Sequence, residues 1–243
     1  MATGMHAWAS TATDGEAIVW PDGCRDLVVA IPRHGAPEVL CTGLDRSARR
    51  VLLDAGTALV GLRVAPGSRF AWDAGAPPVP PVERSLADGA VVPRDVLAWA
   101  RRLQRTPERA AELLDEAAAR WIRPPDAHVV ALLSAIAAGD RDARAATDGA
   151  SMRTWRRRMR DATGAPATFW RALHRVRTAA RLLATEGAAP SDVAFRAGYA
   201  DQAHLTRAVR QWFATTPAAL RRDGAALRAG IAAPDAFTLL ASR

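Results

Sequence analysis

The side chains best suited to chemistry in this sequence are two sets of exposed-type polar residues at helical spacing: Arg153, Arg156, Arg157 and Arg160, then Gln202, His204, Arg207 and Arg210. Guanidinium groups can pair bidentately with guanine O6/N7 and carboxamides with adenine N6/N7, each worth about 1–3 kcal/mol of discrimination between bases. A guanidinium one turn further along the same face reaches phosphate instead, which positions a protein without reading sequence. Both sets therefore suit helices laid in a major groove. The plainer readings are a solvated basic face for Arg156, Arg157 and Arg158 and a packed imidazole for His204.

The stretch from Pro190 to Pro217 positions the second set. Pro190, Ser191 and Asp192 open a short helix with Val193, Ala194 and Ala197 on its apolar face, and Gly198 ends it at a point where φ > 0 is needed. Asp201 then caps a second helix. Its apolar stripe is Leu205, Ala208, Val209, Trp212 and Phe213, at i, i+3, i+4, i+7 and i+8. Two helices joined by a glycine turn, the second amphipathic with a polar outer face, form a helix-turn-helix pattern. Ser151, Trp155 and Met159 repeat the cap-and-stripe spacing of Asp201, Leu205 and Val209, with Gly149 and Pro166 standing where Gly198 and Pro217 stand. The pattern is present twice. Between the two units a long helix from Pro166, with Phe169, Leu173, Val176, Ala180 and Leu183 on one stripe, ends before Gly187. At 1.5 Å per residue it would span roughly 28 Å, comparable to the ~34 Å between successive major-groove faces.

Charge follows the same division. Ser151 to Arg222 holds 14 arginines against four carboxylates, a net +10, whereas the whole chain of 243 residues carries +8, so the remainder is close to neutral. A basic third joined to a neutral remainder reads as a nucleic-acid-binding module attached to something else. All 33 basic residues are Arg, as a GC-rich coding bias would produce.

The sequence predicts an α+β chain. Short apolar runs at Ala17–Trp20, Leu27–Ile31, Glu38–Cys41, Val51–Leu53 and Ala58–Val64, broken by Gly, Pro and Asp, read as strands of an antiparallel sheet or small barrel over residues 1–85. Gly75–Ser85 is Pro-rich and reads as a connection. Residues 86–125 then form a helical connector, with Val96, Leu97, Ala100 and Leu103 on one face and Ala110, Leu113, Leu114, Ala117 and Trp121 on the next. This pair could pack on itself or form a homodimer surface. Asp126 caps the first helix of an all-α domain over 126–225, and 226–243 is left as a tail. In the sheet region WPDGCRDLVV and GLRVAPG place Asp22, Cys24 and Arg25 near strand ends. Trp20, Arg63 and Trp72 are the candidates for a pocket there, against a plain core role for Trp20 and a capping role for Asp22.

No basic leader precedes an apolar core and no run approaches a membrane helix, so a cytoplasmic protein without a membrane partner is expected. Cys24 and Cys41 are too few for a disulfide framework or a four-thiolate metal site, and no metal or cofactor is expected. Nucleophile elbow, phosphate loop and metal cluster are lacking, which argues against an enzyme.

From about Asp126 to Arg222 the chain resembles the AraC/XylS family of transcription regulators, and GYADQAHLTRAVRQWFATTP is close to the signature of that family's second helix-turn-helix. The first half resembles the uncharacterised N-terminal domain of a subgroup of these regulators. The resemblance implies a regulator that binds double-stranded promoter DNA, leaves room for RNA polymerase and a small-molecule effector as partners, and is controlled through its N-terminal domain. It places base reading on Arg153, Arg156 and Arg157 in the first unit and on Gln202, Ala203, His204, Thr206 and Arg207 in the second. Arg160 and Arg210 fall to phosphates. Two departures stand out: Arg144 in the helix Arg141 to Asp148, where the family has an apolar residue, and Ala214 where it favours Gly. Two other readings are alkyl transfer to Cys24, as in related DNA-repair regulators, and a small-molecule enzyme fused to the DNA module.

Overall fold

The computed structural model describes residues 4–12, 16–73, 84–85, 94–139, 151–222 and 233–241. Nine strands precede or intersperse nine described helices, and every strand pairing is antiparallel. β1 (Met5–Thr11), β6 (Ala58–Val64), β3 (Arg25–Ile31), β4 (Glu38–Cys41) and β8 (Arg84–Ser85) lie in that order in one five-stranded sheet. β2 (Glu16–Val19) and β5 (Arg49–Leu52) form a separate ribbon, and β7 (Arg69–Phe70) pairs with β9 (Ile122–Arg123). Of the expected antiparallel sheet or small barrel, the structure has the sheet, open, with a ribbon over one face. β1 was not foreseen, although MHAWAST supplies the edge partner of β6. Part of the Pro-rich connection also pairs: β8 bonds to Leu40 and Cys41. Residues 75–83 lie outside the described set.

Alternation through the central strands assigns the two faces of the sheet. Leu27, Val29, Leu62 and Val64 point to one side and are buried. Against them pack α1 (Arg94–Arg105) and α2 (Ala110–Trp121), which follows a single 3₁₀ turn at Pro107–Arg109. α1 buries Val96, Trp99, Ala100 and Leu103; Leu97, expected inward, is exposed, because Trp99 occupies the inward position and donates from Nε1 to the Leu113 carbonyl at 2.8 Å. The two connector helices share one core with the sheet.

The second core gathers around α5 (Ala167–Thr185), whose Trp170, Leu173, Val176, Ala180 and Leu183 are fully buried. α3 (Ala127–Ala137), α4 (Met152–Thr163), α6 (Pro190–Arg196), α7 (Gln202–Phe213) and α8 (Pro217–Arg222) surround it. Asp126, Ser151 and Asp201 each cap their helix, accepting from the backbone N–H of His128, Thr154 and His204. The helix expected at Arg141 to Asp148, with Arg144, lies outside the described residues.

The last segment corrects the expectation of a tail. α9 (Ala236–Ala241) buries Ala236, Leu239 and Leu240 in the second core. Gly23, at φ +78°, sits where any Cβ would meet Leu173, Trp170 and Ala236 at 2.7–2.9 Å. The Pro-Asp-Gly turn after β2 is therefore inserted between α5 and α9, and a glycine is required there both by conformation and by space.

Candidate nucleic-acid interface

α4 and α7 present their polar faces as the spacing requires. Trp155 and Met159 are buried beneath α4, while Arg153, Arg156, Arg157 and Arg160 are exposed around a shared surface hollow that also includes Asp161. Under α7 the buried residues are Leu205, Val209, Trp212 and Phe213; Gln202, Ala203, Arg207, Arg210 and Gln211 are exposed. None of Arg153, Arg156, Arg157, Arg160, Arg207 and Arg210 is held in an ion pair with another described residue. Arg196 of α6, in contrast, is tied to Glu186 at 2.9 Å and to Asp192 at 3.5 Å. Guanidinium groups left to solvent in this way meet a phosphate or base edge without first breaking an internal pair.

Two of the expected base readers are partly committed inside the protein. His204 is half-buried and meets the Tyr199 ring edge-on at 5.1 Å, and the Thr206 hydroxyl donates to the Gln202 carbonyl at 2.8 Å. Gln211, one turn beyond Arg207 on the exposed side, was not singled out by the sequence. Its signal was the i+4 spacing from Arg207.

The turn between α6 and α7 is held from the spacer helix: Arg175 donates to the Gly198 carbonyl at 3.4 Å and lies 4.6 Å over the Tyr199 ring. Gly198 has φ +72°, as the turn demands. α7 ends at Ala214, the single described non-glycine residue with positive φ (51°), whose N–H bonds to the Arg210 carbonyl. A side chain in this left-handed cap costs on the order of 1 kcal/mol relative to glycine.

The helical half also meets the sheet half. Ala48 donates its backbone N–H to the Trp212 carbonyl at 2.8 Å, Trp20 packs on Phe213 with ring centroids 5.6 Å apart, and Arg46 stands 6.0 Å from the Phe169 ring. A second bridge runs through the C-terminal segment. Arg177, fully buried on α5, pairs with Asp235 at 2.8 Å and donates to the Pro21 carbonyl at 3.3 Å. The Ala236 N–H bonds to the Asp22 carbonyl at 2.9 Å, and Arg63 donates to the Pro234 carbonyl at 3.1 Å. Burial by itself would raise the Asp235 carboxyl, but Arg177 and the Thr238 donors outweigh it and hold the group below the usual carboxylate range. Arg177 and Asp235 were missed because a buried ion pair between distant segments leaves no periodic trace.

Between the five-stranded sheet and the β2–β5 ribbon lies a cavity of about 210 Å³. Trp8, Trp20, Val28 and Leu40 give it apolar walls; Asp22, Asp26 and Arg63 stand at one end. Arg63 bonds to Asp22 at 2.9 Å and to Asp26 at 3.1 Å, and the Trp8 indole donates to Asp26 at 2.8 Å. Gly61, paired opposite Trp8 across β1 and β6, leaves room for that indole to lie on the sheet. Trp20 and Arg63 thus line one cavity. Trp72 does not join them: it stacks on Phe70 at 5.2 Å and packs on Trp121 across the opposite face of the sheet, because β7 pairs with β9 there. Arg25 also faces that core, held by Asp73 at 2.6 Å.

Cys24 is buried, and burial, with Asp22 beside it, pushes its thiol well above the ordinary range; burial raises Cys41 to about 11. Burial thus favours the neutral thiol at both positions, the less nucleophilic form. Among the described residues no group of three or more His, Cys, Asp or Glu could hold a metal ion, and no described helix is long and apolar enough to cross a membrane.

A family model described as a helix-turn-helix domain matches residues 145–223. Among solved structures, the chain is similar to ToxT from Vibrio cholerae (8% identity, TM-score 0.43, over 88% of this chain and 95% of that one). It is also similar to apo ToxT of a variant from Vibrio cholerae strain SCE256 (9%, 0.42, 89% and 96%). No curated protein matches. The matched stretch is a helix-turn-helix domain in which two capped helices, α4 and α7, are carried on one spacer helix, α5.

Proposed function

We propose that the protein recognises a specific promoter sequence through α4 and α7, and that a small molecule in the cavity between the sheet and the β2–β5 ribbon controls this binding. The observation that carries the first part is the pair of exposed arginine faces, none of them engaged in an ion pair with another described residue, on helices whose opposite faces are buried. Base reading falls to Arg153, Arg156 and Arg157 on α4 and to Gln202, Ala203, Arg207 and, from their half-buried positions, His204 and Thr206 on α7; Arg160 and Arg210 take phosphates. The second part is supported by Trp20, which lines the cavity and touches Phe213 at the end of α7. The division of labour follows the expected bounds: residues 1–85 sense, 86–125 support them, 126–225 bind DNA, and the segment within 226–243 joins the two. The protein acts in the cytoplasm as a regulator and carries out no catalysis of its own; RNA polymerase contact and dimerisation are compatible with this role.

Selection of duplexes from a randomised pool, followed by mobility shifts at near-physiological salt with nonspecific competitor, tests the reading. An enriched site bound at least about 10³-fold tighter than random duplex is expected. Enrichment of nothing beyond general DNA affinity would refute it.

A further inference from the structure

The cavity at the Trp8–Trp20 wall carries a charge imbalance that identifies what it takes. Its polar end has two carboxylates, Asp22 and Asp26, sharing the single guanidinium of Arg63 at 2.9 and 3.1 Å. The other charged lining residue, Arg49, is matched by Asp45 at 2.9 Å. Behind Pro21 and Asp22, Arg177 is matched by Asp235 at 2.8 Å, and Arg181, which also reaches Asp235 at 3.2 Å, is nearly half exposed and screened by solvent. Within the lining, two carboxylates therefore share one guanidinium, and burial raises the Asp22 carboxyl, a penalty that a cation placed beside it offsets. Two indoles, Trp8 and Trp20, line the same space, and indole faces attract cations more strongly where water is excluded. The volume, about 210 Å³, exceeds the ~150 Å³ that accommodates benzene and suits a body of one or two rings.

We propose that the cavity binds a small organic cation: a flat or compact apolar body carrying one protonated or quaternary amine. The amine lies at Asp22 and Asp26, and the body lies against Trp8, Trp20, Val28 and Leu40. This inference rests on the reading of the cavity as the effector site and goes further by fixing the sign of the ligand's charge. An anionic ligand meets the surplus carboxylate, and a neutral one leaves it uncompensated.

The test uses the full chain and three probes of one shape at pH 7: tryptamine as cation, tryptophol as neutral isostere and indole-3-acetate as anion. Affinities are read by calorimetry and by the shift in melting temperature. Tryptamine is expected to bind at least about tenfold tighter than tryptophol, with indole-3-acetate weakest. In Asp22→Asn, which cancels the surplus charge, the preference for tryptamine should fall to within about threefold. If that variant does not fold, Asp26→Asn is the equivalent change, and the ranking in the parent chain already decides. Tryptophol or indole-3-acetate binding as tightly as tryptamine would overturn the cation assignment and leave the cavity an effector site. Binding of none of the three would overturn both, without touching the assignment of the DNA-reading helices.

Discussion

Gly23 and Gly61 do at the level of single atoms what no side chain could. Gly23→Ala would place a methyl between Trp170, Leu173 and Ala236 in a backbone conformation that L residues avoid, and about 1–3 kcal/mol of destabilisation is expected in denaturant unfolding. Gly61→Ala meets the Trp8 indole instead. It should displace that ring, break its bond to Asp26 and weaken cavity binding more than it lowers stability, a contrast that calorimetry and unfolding measured side by side will resolve. At Ala214 the sign reverses. Its left-handed backbone costs energy only because alanine has a Cβ, so Ala214→Gly should stabilise the protein by roughly 0.5–1 kcal/mol while leaving DNA affinity unchanged.

The reader helices and their spacer make predictions at the level of elements. If α4 and α7 read with their exposed faces, Gln202→Ala or Arg207→Ala relaxes preference at particular base pairs, by about 1–3 kcal/mol each. Arg160→Ala or Arg210→Ala should weaken binding to every sequence and lower the salt slope by about one. Selection from a randomised pool at two salt concentrations separates the two kinds of change, and an equal loss of specificity from both would mean the helix faces are misassigned. The spacer α5 responds to pH through His174, which lies edge-on to Phe237 of α9 at 4.7 Å. Burial, with Arg181 adding to it and Asp235 opposing, lowers this imidazole from its ordinary 6.5. A base whose folded pKa is depressed stabilises the fold above its unfolded pKa and loses that contribution as pH falls toward the folded value. The melting temperature should therefore drop as pH falls below about 6.5, and His174→Gln should remove that part of the slope. Asp235, held low by Arg177, loses its contribution only at more acid pH, below the ordinary carboxylate value of 3.8.

In the whole molecule, the cavity and the helical domain meet at two places: Trp20 on Phe213 at the end of α7, and the path Arg63, Pro234, Asp235, Arg177, which ends on the spacer α5. If binding in the cavity shifts DNA affinity through these contacts, DNA binding shifts ligand affinity by the same factor. A duplex selected by the protein should slow amide exchange across residues 22–26. Replacing Arg177 and Asp235 together, as Arg177→Met with Asp235→Leu, keeps the core filled without stranding a buried charge. That double variant should still bind the duplex while the exchange response at 22–26 shrinks. An undiminished response would assign the coupling to Trp20 and Phe213 alone.

The helix-turn-helix pair was legible because its information is local. A cap at Asp201, a glycine at Gly198 and a stripe from Leu205 to Phe213 lie within one short stretch, and each follows from backbone sterics and 3.6-residue periodicity. The same holds for Ser151, Trp155 and Met159, and for the 19-residue spacer α5. The strands could be placed, since alternation and turn residues are also local, but their partners could not. Only the fold sets β6 between β1 and β3, lays Trp8 on Gly61 and sends Trp72 to the face opposite Trp20. Likewise Leu97 and Trp99 compete for one inward position on α1, and what decides is the Leu113 carbonyl waiting for an indole N–H. The sequence by itself determined that this chain carries two capped amphipathic helices on a basic module. The tertiary structure decided where the cavity lies and which contacts join it to the helical domain, because Asp22, Asp26, Arg63, Arg177 and Asp235 come together through contacts between distant segments, and no periodicity encodes those.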